Sequence, residues 1–100
     1  MRQIQLLAEA EQDLWHGFTF YEGQREGLGQ YFLDSLFSDI ESLQLFSGVH
    51  GTVNGYHRML SKRFPYAMYY TLRDDNNILV VAVLDCRQAP GRALRKLSDR

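Results

Sequence analysis

Near residue 50 the spacing of apolar side chains changes from every third or fourth residue to every second one. No other feature of the sequence restricts the fold as much. Before that point Ala10, Leu14, Phe18 and Tyr21 recur at helical spacing, while Glu9, Glu11, Asp13 and Glu22 fall elsewhere. Carboxylates in the first turn suit the positive end of the helix dipole. Gly23, Gly27 and Gly29 break the pattern, and a second helix is expected over 28–45. Phe32, Leu36, Ile40 and Leu43, widened by Leu33 and Phe37, form its buried stripe; Asp34, Ser38, Asp39 and Glu41 lie toward solvent. Two such helices joined by a short glycine-containing link predict an antiparallel hairpin.

After Ser47-Gly48 stops the second helix, Gly51 and Asn54-Gly55 mark a loop. Strands are expected over 56–62, over 64–72 and over 78–84. In the second of these, Phe64, Tyr66, Met68, Tyr70 and Leu72 alternate with smaller or polar residues. Pro65 belongs at the start of that strand, where a missing amide does least harm. Asp74-Asp75-Asn76-Asn77 turns the chain into residues 78–84, an unbroken apolar run expected of a strand covered on both faces. A short strand over 3–7 opens the chain, and residues 92–97 suit one last helical turn after Pro90-Gly91. The expected fold is α+β in the order β-α-α-β-β-β. The N-terminal strand and helical hairpin pack on one face of a mostly antiparallel sheet, and a short basic C-terminal tail follows. Residues 1–100 read as a single domain.

Composition excludes several classes. Hydrophobic residues make up 45% of the chain and aromatic ones 13%, too many for a disordered segment. No apolar run approaches the roughly 20 residues that span a bilayer. The opening residues, from Met1 to Leu7, turn acidic at Glu9 and lack a signal-peptide core. A single cysteine, Cys86, closes no internal disulfide and fits a reducing cytoplasm; its place after the apolar run suggests a small buried hydrophobe. His16, His50, His57 and Cys86 form no recognised metal-ligand set, and the Gly-rich stretches lack a phosphate-loop Lys-Ser/Thr. Neither a cofactor nor a metal is expected.

Charge is the more telling quantity. The net charge of −1 conceals a first half with two basic and eight acidic groups and a second half with nine basic and four acidic. Such asymmetry suggests a face that meets an anion, either nucleic acid or an acidic peptide, although two halves attracting each other is the plainer alternative. Arg58, Lys62, Arg63 and Arg87 are the candidate cations, with Arg92, Arg95 and Lys96 as an extension. The alternative for strand cations is protection of a sheet edge from aggregation. His57 has the ordinary pKa, near 6.5, that suits a proton-transfer group, and equally suits cross-strand pairing. His16 and His50 read as surface residues. Tyr66 and Tyr70 read as core, with stacking on a base as the other use.

Glu9-Ala10-Glu11-x-Asp13-Leu14 and Tyr21-Glu22 frame the first helix. Gly27-Leu28-Gly29-x-x-Phe32-Leu33 opens the second, and Arg63-Phe64-Pro65-Tyr66-x-x-Tyr69-Tyr70 starts the hairpin. Val80-Val81-Ala82-Val83-Leu84-Asp85-Cys86-Arg87-x-x-Pro90 ends the sheet. In this order and spacing the chain resembles, over about residues 3–97, the RelE/ParE toxin superfamily of type II toxin–antitoxin modules. The resemblance implies the same β-α-α-β-β-β fold and a cytoplasmic toxin tied to growth inhibition and plasmid stabilisation. It also implies a cognate antitoxin that wraps the toxin, forms a hetero-oligomer with it and supplies the only contact with DNA; no membrane is involved.

Members of that superfamily either cut messenger RNA on the ribosome, as RelE does, or poison DNA gyrase, as ParE does. The resemblance places Arg58, Lys62 and Arg63 at the middle-strand cations of the cutting branch and Arg87 at its last-strand arginine. The C-terminal tyrosine of that branch falls near Ala93, and a third-strand arginine falls near Tyr66. With two chemical parts absent, the sequence leans to ParE-like inhibition of gyrase by protein contact. Target or antitoxin binding is then expected at Arg58, Lys62, Arg63, Tyr66, Arg87 and Arg92. The alternatives are a RelE-like metal-free endoribonuclease using His57, Arg58, Lys62 and Arg87, and a non-toxic descendant that only binds an antitoxin or acidic peptide.

Overall fold

The computed structural model describes residues 2–100; Met1, the first residue of the opening stretch, lies outside the described residues. The chain runs β1 (Ile4–Leu6), α1 (Ala8–Gln24), α2 (Leu28–Glu41), α3 (Leu43–Phe46), β2 (Thr52–Val53), β3 (Tyr56–Leu60), β4 (Tyr66–Leu72), β5 (Ile78–Asp85) and α4 (Pro90–Ser98). The sheet has the order β1-β5-β4-β3-β2. It is antiparallel throughout except where β1 pairs parallel with β5. The expected α+β architecture is present, with the helical hairpin on one face and β1 built into the sheet.

The two helices of the hairpin meet closely because glycine stands at both crossing points. A Cβ on Gly17 would lie 2.4 Å from Phe32 Cζ, and one on Gly29 would lie 2.8 Å from the Phe18 carbonyl oxygen. The turn between them is held by Glu22, whose carboxylate accepts the N–H groups of Gly27 and Gly29, each at 3.0 Å. Gly27 takes a positive φ of 87° there, a conformation that glycine adopts without penalty. Below the hairpin, Ala10, Leu14, Phe32, Leu36, Ile40 and Leu43 pack on Met59, Met68, Tyr70, Ile78, Val80 and Val83. Each large side chain buried this way contributes about 1.5–3 kcal/mol before entropy is charged against it. Tyr21, Phe32, Phe64 and Tyr66 complete this core as a ring cluster with centroids 4.8–6.3 Å apart.

The structure departs from the sequence reading in several places. The second helix ends at Glu41 and the chain restarts as α3 after Ser42. Asn54-Gly55 is the two-residue turn of a hairpin, with Thr52 opposite His57 and Val53 opposite Tyr56, and both turn residues have positive φ. Asn-Gly is the preferred dipeptide for that turn. The basic tail forms the nine-residue helix α4, and its Leu97 is buried against Ala67, Tyr69, Val81, Ala82 and Leu84 on the sheet's second face. That face is therefore partly covered, and β5 has apolar packing on both sides. Phe37, expected in the buried stripe, is exposed, and Asp13 and Asp39, expected in solvent, are buried. Asp39 accepts hydrogen bonds from the Ser61 hydroxyl at 2.7 Å and the Lys62 N–H at 3.3 Å, which ties α2 to the β3–β4 connection. Among the described residues no helix is long and apolar enough to cross a membrane.

Candidate functional site

Strand alternation decides which of the candidate residues can act together. On β3, His57 lies opposite Tyr70 and Arg58 opposite Tyr69. Tyr70 belongs to the core beneath the helical hairpin and Tyr69 to the core beneath α4, so the two neighbours project to opposite faces. His57 stacks on the Tyr70 ring at 5.0 Å and its Nδ1 lies 2.7 Å from the His50 carbonyl oxygen. His50 is half-buried rather than on the surface, with Nδ1 2.6 Å from the Tyr70 hydroxyl. Burial, and then the neighbouring His57, push the His50 pKa below its ordinary value. His16 is exposed on α1.

On the other face, Arg58 is half-buried in a groove of about 320 Å³ between the β2–β3 hairpin and α4. Val53, Leu84, Leu94 and Leu97 form its apolar walls. The Arg58 Nε donates to the Tyr69 hydroxyl at 3.1 Å, and Nη2 donates to Cys86 Sγ at 3.5 Å. Its pKa is raised, chiefly by the Tyr69 hydrogen bond. No carboxylate pairs with it among the described residues. Cys86, expected to be buried, is exposed at this rim, because β5 ends one residue earlier.

Arg87 occupies the hairpin side of the same end of β5. Its Nε and Nη2 bind the two carboxylate oxygens of Asp85 at 3.0 and 2.8 Å, a bidentate clamp. Nη2 also reaches the Tyr21 hydroxyl at 3.3 Å, and the guanidinium lies over the rings of Phe20 and Tyr21, 5.6 and 6.0 Å from their centroids. The Arg87 hydrogen bond holds the Asp85 carboxyl below the usual carboxylate range and raises Arg87 in turn. Tyr66 lies in the ring cluster, and burial, reinforced by the charge of Asp85, pushes its phenol up to about 12.

The six expected contact residues are thus not gathered at one point. Arg58 faces the groove, Tyr66 is core and Arg87 is clamped over α1. Lys62 and Arg63 are exposed on the β3–β4 connection, and Arg92 is exposed on α4. Among the described residues no three His, Cys, Asp or Glu side chains gather as a metal site requires. Sequence reasoning missed Asp85, legible as an Asp-x-Arg spacing at a strand end. It also missed Phe20, one residue off the buried stripe, and Tyr69, whose role depends on the register between β3 and β4.

No protein-family model and no curated protein matches the chain. Solved structures do. A chain of the chromosomal ParDE TA system from P. aeruginosa aligns with a TM-score of 0.74 at 14% identity, over 83% of this chain and 94% of that one. The isolated E. coli RelE toxin aligns with a TM-score of 0.60 at 12% identity, over 97% of this chain and 99% of that one. The chain has the RelE/ParE fold that the residue pattern implied.

Proposed function

We propose that this chain, carrying the RelE/ParE fold, is the toxin of a type II toxin–antitoxin module and acts in the cytoplasm on DNA gyrase by protein contact. The observation that carries the choice of target is the separation of His57 from Arg58 across the sheet. Metal-free RNA cleavage needs a base, an acid and cations around one phosphate. His57 is turned under the helical hairpin, Arg58 lies in the groove, and Arg87 is held by Asp85. The Tyr66 phenol, at about 12, is poorly matched to proton transfer near neutrality. Ala93 offers no proton at all.

What remains at this end of the sheet is suited to a protein surface. Leu60 and Leu94 are exposed beside Arg58, and Phe20 is exposed beneath Arg87. Arginine set among apolar and aromatic side chains is the composition of interface anchors. For neutralisation, the cognate antitoxin places an amphipathic segment over the helical hairpin. There Trp15 and Phe37 stand 58% and 42% exposed around a cleft of about 270 Å³. DNA is reached only through that partner.

The reading is tested by inducing the chain in bacteria without a partner while following growth, plasmid topology and messenger 5′ ends. Growth arrest, relaxed plasmids and intact messengers are expected. Unimpeded growth by cells making folded protein overturns the toxin assignment. Arrest accompanied by new messenger ends overturns the gyrase assignment in favour of ribosome-dependent cleavage.

A further inference from the structure

The groove that holds Arg58 contains a cation that its own chain does not neutralise. Nε and Nη2 of Arg58 donate to the Tyr69 hydroxyl and to Cys86 Sγ, while Nη1 donates to nothing among the described residues. Every fully buried side-chain nitrogen or oxygen among those residues has a partner, so Nη1 is accessible from outside. Asp85 also lines the groove, but both of its carboxylate oxygens are clamped by Arg87, at 3.0 and 2.8 Å. The helix that forms one wall, α4, carries Arg92, Arg95 and Lys96 exposed and has no carboxylate between Pro90 and Ser98. A half-buried guanidinium among apolar walls costs desolvation, which an incoming carboxylate offsets through a charge-assisted hydrogen bond. A donor that served only to hold the Tyr69 hydroxyl would need no charge.

The apolar part of the site extends beyond the cavity. Val53 on β2 and Leu94 on α4 line the groove from its two walls and are still 38% and 46% exposed. Leu60, two residues after Arg58 on the same face of β3, is 58% exposed. A small carboxylate held within about 320 Å³ leaves those three surfaces in water. A polypeptide segment covers them, with an aliphatic side chain between the hairpin and α4 and a carboxylate at Arg58. Further acidic residues of such a segment meet the cations of α4.

We infer, on the reading of this face as the target contact, that the groove between the β2–β3 hairpin and α4 receives an acidic, apolar segment of the target protein. In that segment a carboxylate stands within two residues of a leucine-sized aliphatic side chain, because an extended chain puts residues i and i+2 on one face. The carboxylate binds Arg58, and the aliphatic side chain lies between Val53 and Leu94.

The test uses random dodecapeptides displayed on phage, depleted on the Arg58→Ala chain and then selected on the parent chain. A second run depletes on Leu94→Ser, a change at an exposed position, so that an unfolded first variant does not decide the result. Both runs are expected to leave peptides with Asp or Glu within two residues of Leu, Ile, Val or Phe. Resynthesised, these should bind the parent chain at least about tenfold more tightly than either variant. They should also slow alkylation of Cys86, the single cysteine, which lies exposed at the groove rim. No surviving peptide, survivors without a carboxylate, or Cys86 alkylation unchanged by bound peptide overturns the inference. Equal protection of Cys86 by octanoate at the same concentration overturns it in favour of a small carboxylate. A dimer of the parent chain that Leu94→Ser dissociates overturns it in favour of a second copy. Gyrase is absent from the assay, so the two readings fail separately. Peptides bound in the groove alongside unimpeded supercoiling would remove gyrase as the target and leave the chemistry of the groove. Gyrase inhibition by a chain that selects no such peptide would do the reverse.

Discussion

At the residue scale, the buried face of β3 ends in a small polar assembly. The Gly48 N–H donates to the Tyr70 hydroxyl at 2.9 Å, and that hydroxyl lies 2.6 Å from His50 Nδ1. With Gly48 as donor to the phenol oxygen, the phenol proton is free for a neutral His50. Protonating His50 removes that acceptor and sets a charge beside His57. Its folded pKa is depressed below the ordinary value of about 6.5, so the stability it contributes is complete above that value. That stability is lost as pH falls through the folded value. The melting temperature is therefore expected to decline on acidification from pH 7.5 toward pH 5. His50→Asn, which keeps a polar atom near the position of Nδ1 but cannot titrate, should flatten the decline. A slope unchanged by the substitution would assign the pH dependence to other groups.

At the scale of elements, the contact between α1 and α2 depends on glycines that no side-chain pattern announces. Gly17→Ala drives a methyl group into the Phe32 ring at the centre of the core and is expected to cost about 1–3 kcal/mol. At Gly23, in the same helix, an added methyl group would meet nothing within 4 Å, and Gly23→Ala is expected to gain about 0.5–1 kcal/mol. Urea melts of the two variants should move in opposite directions. Movement in the same direction would mean that helix propensity, not close approach, governs the hairpin. Period and turn chemistry made most elements legible, including both helices, the alternation of β4 and the doubly covered β5. The β2–β3 turn was legible as well, in Asn54-Gly55, but a two-residue strand leaves no period to read. Asp13 and Asp39 were not legible. Their burial depends on Arg100, Val83, Ser61 and Lys62, partners 22 to 87 residues away, and nothing local separates such a carboxylate from a solvated one. Of the candidate site, the cations were visible as residues, but their division between two faces required the strand register.

At the scale of the whole molecule, folding leaves the charge asymmetry largely unspent. Of the two ion pairs among the described residues, Asp13–Arg100 joins the acidic half to the basic half, and Asp85–Arg87 lies wholly within the basic half. Of the other basic groups in the second half, Lys62, Arg63, Arg73, Arg92, Arg95 and Lys96 are exposed. Direct ion pairing between the halves among the described residues is therefore limited to Asp13–Arg100, which leaves these exposed cations available to the partner surface proposed above. The helical hairpin and the groove beneath α4 lie on opposite faces of the sheet, with Arg58 in the groove and Arg87 on the hairpin side of the same end of β5. The most direct measurement is gyrase supercoiling of relaxed plasmid in the presence of the purified chain and of its Arg58→Ala/Arg87→Ala variant, both checked for fold. Inhibition by the parent chain, weakened at least about tenfold in the variant as expected for lost interface anchors, is the predicted result. Full supercoiling in the presence of excess folded parent chain would contradict the account.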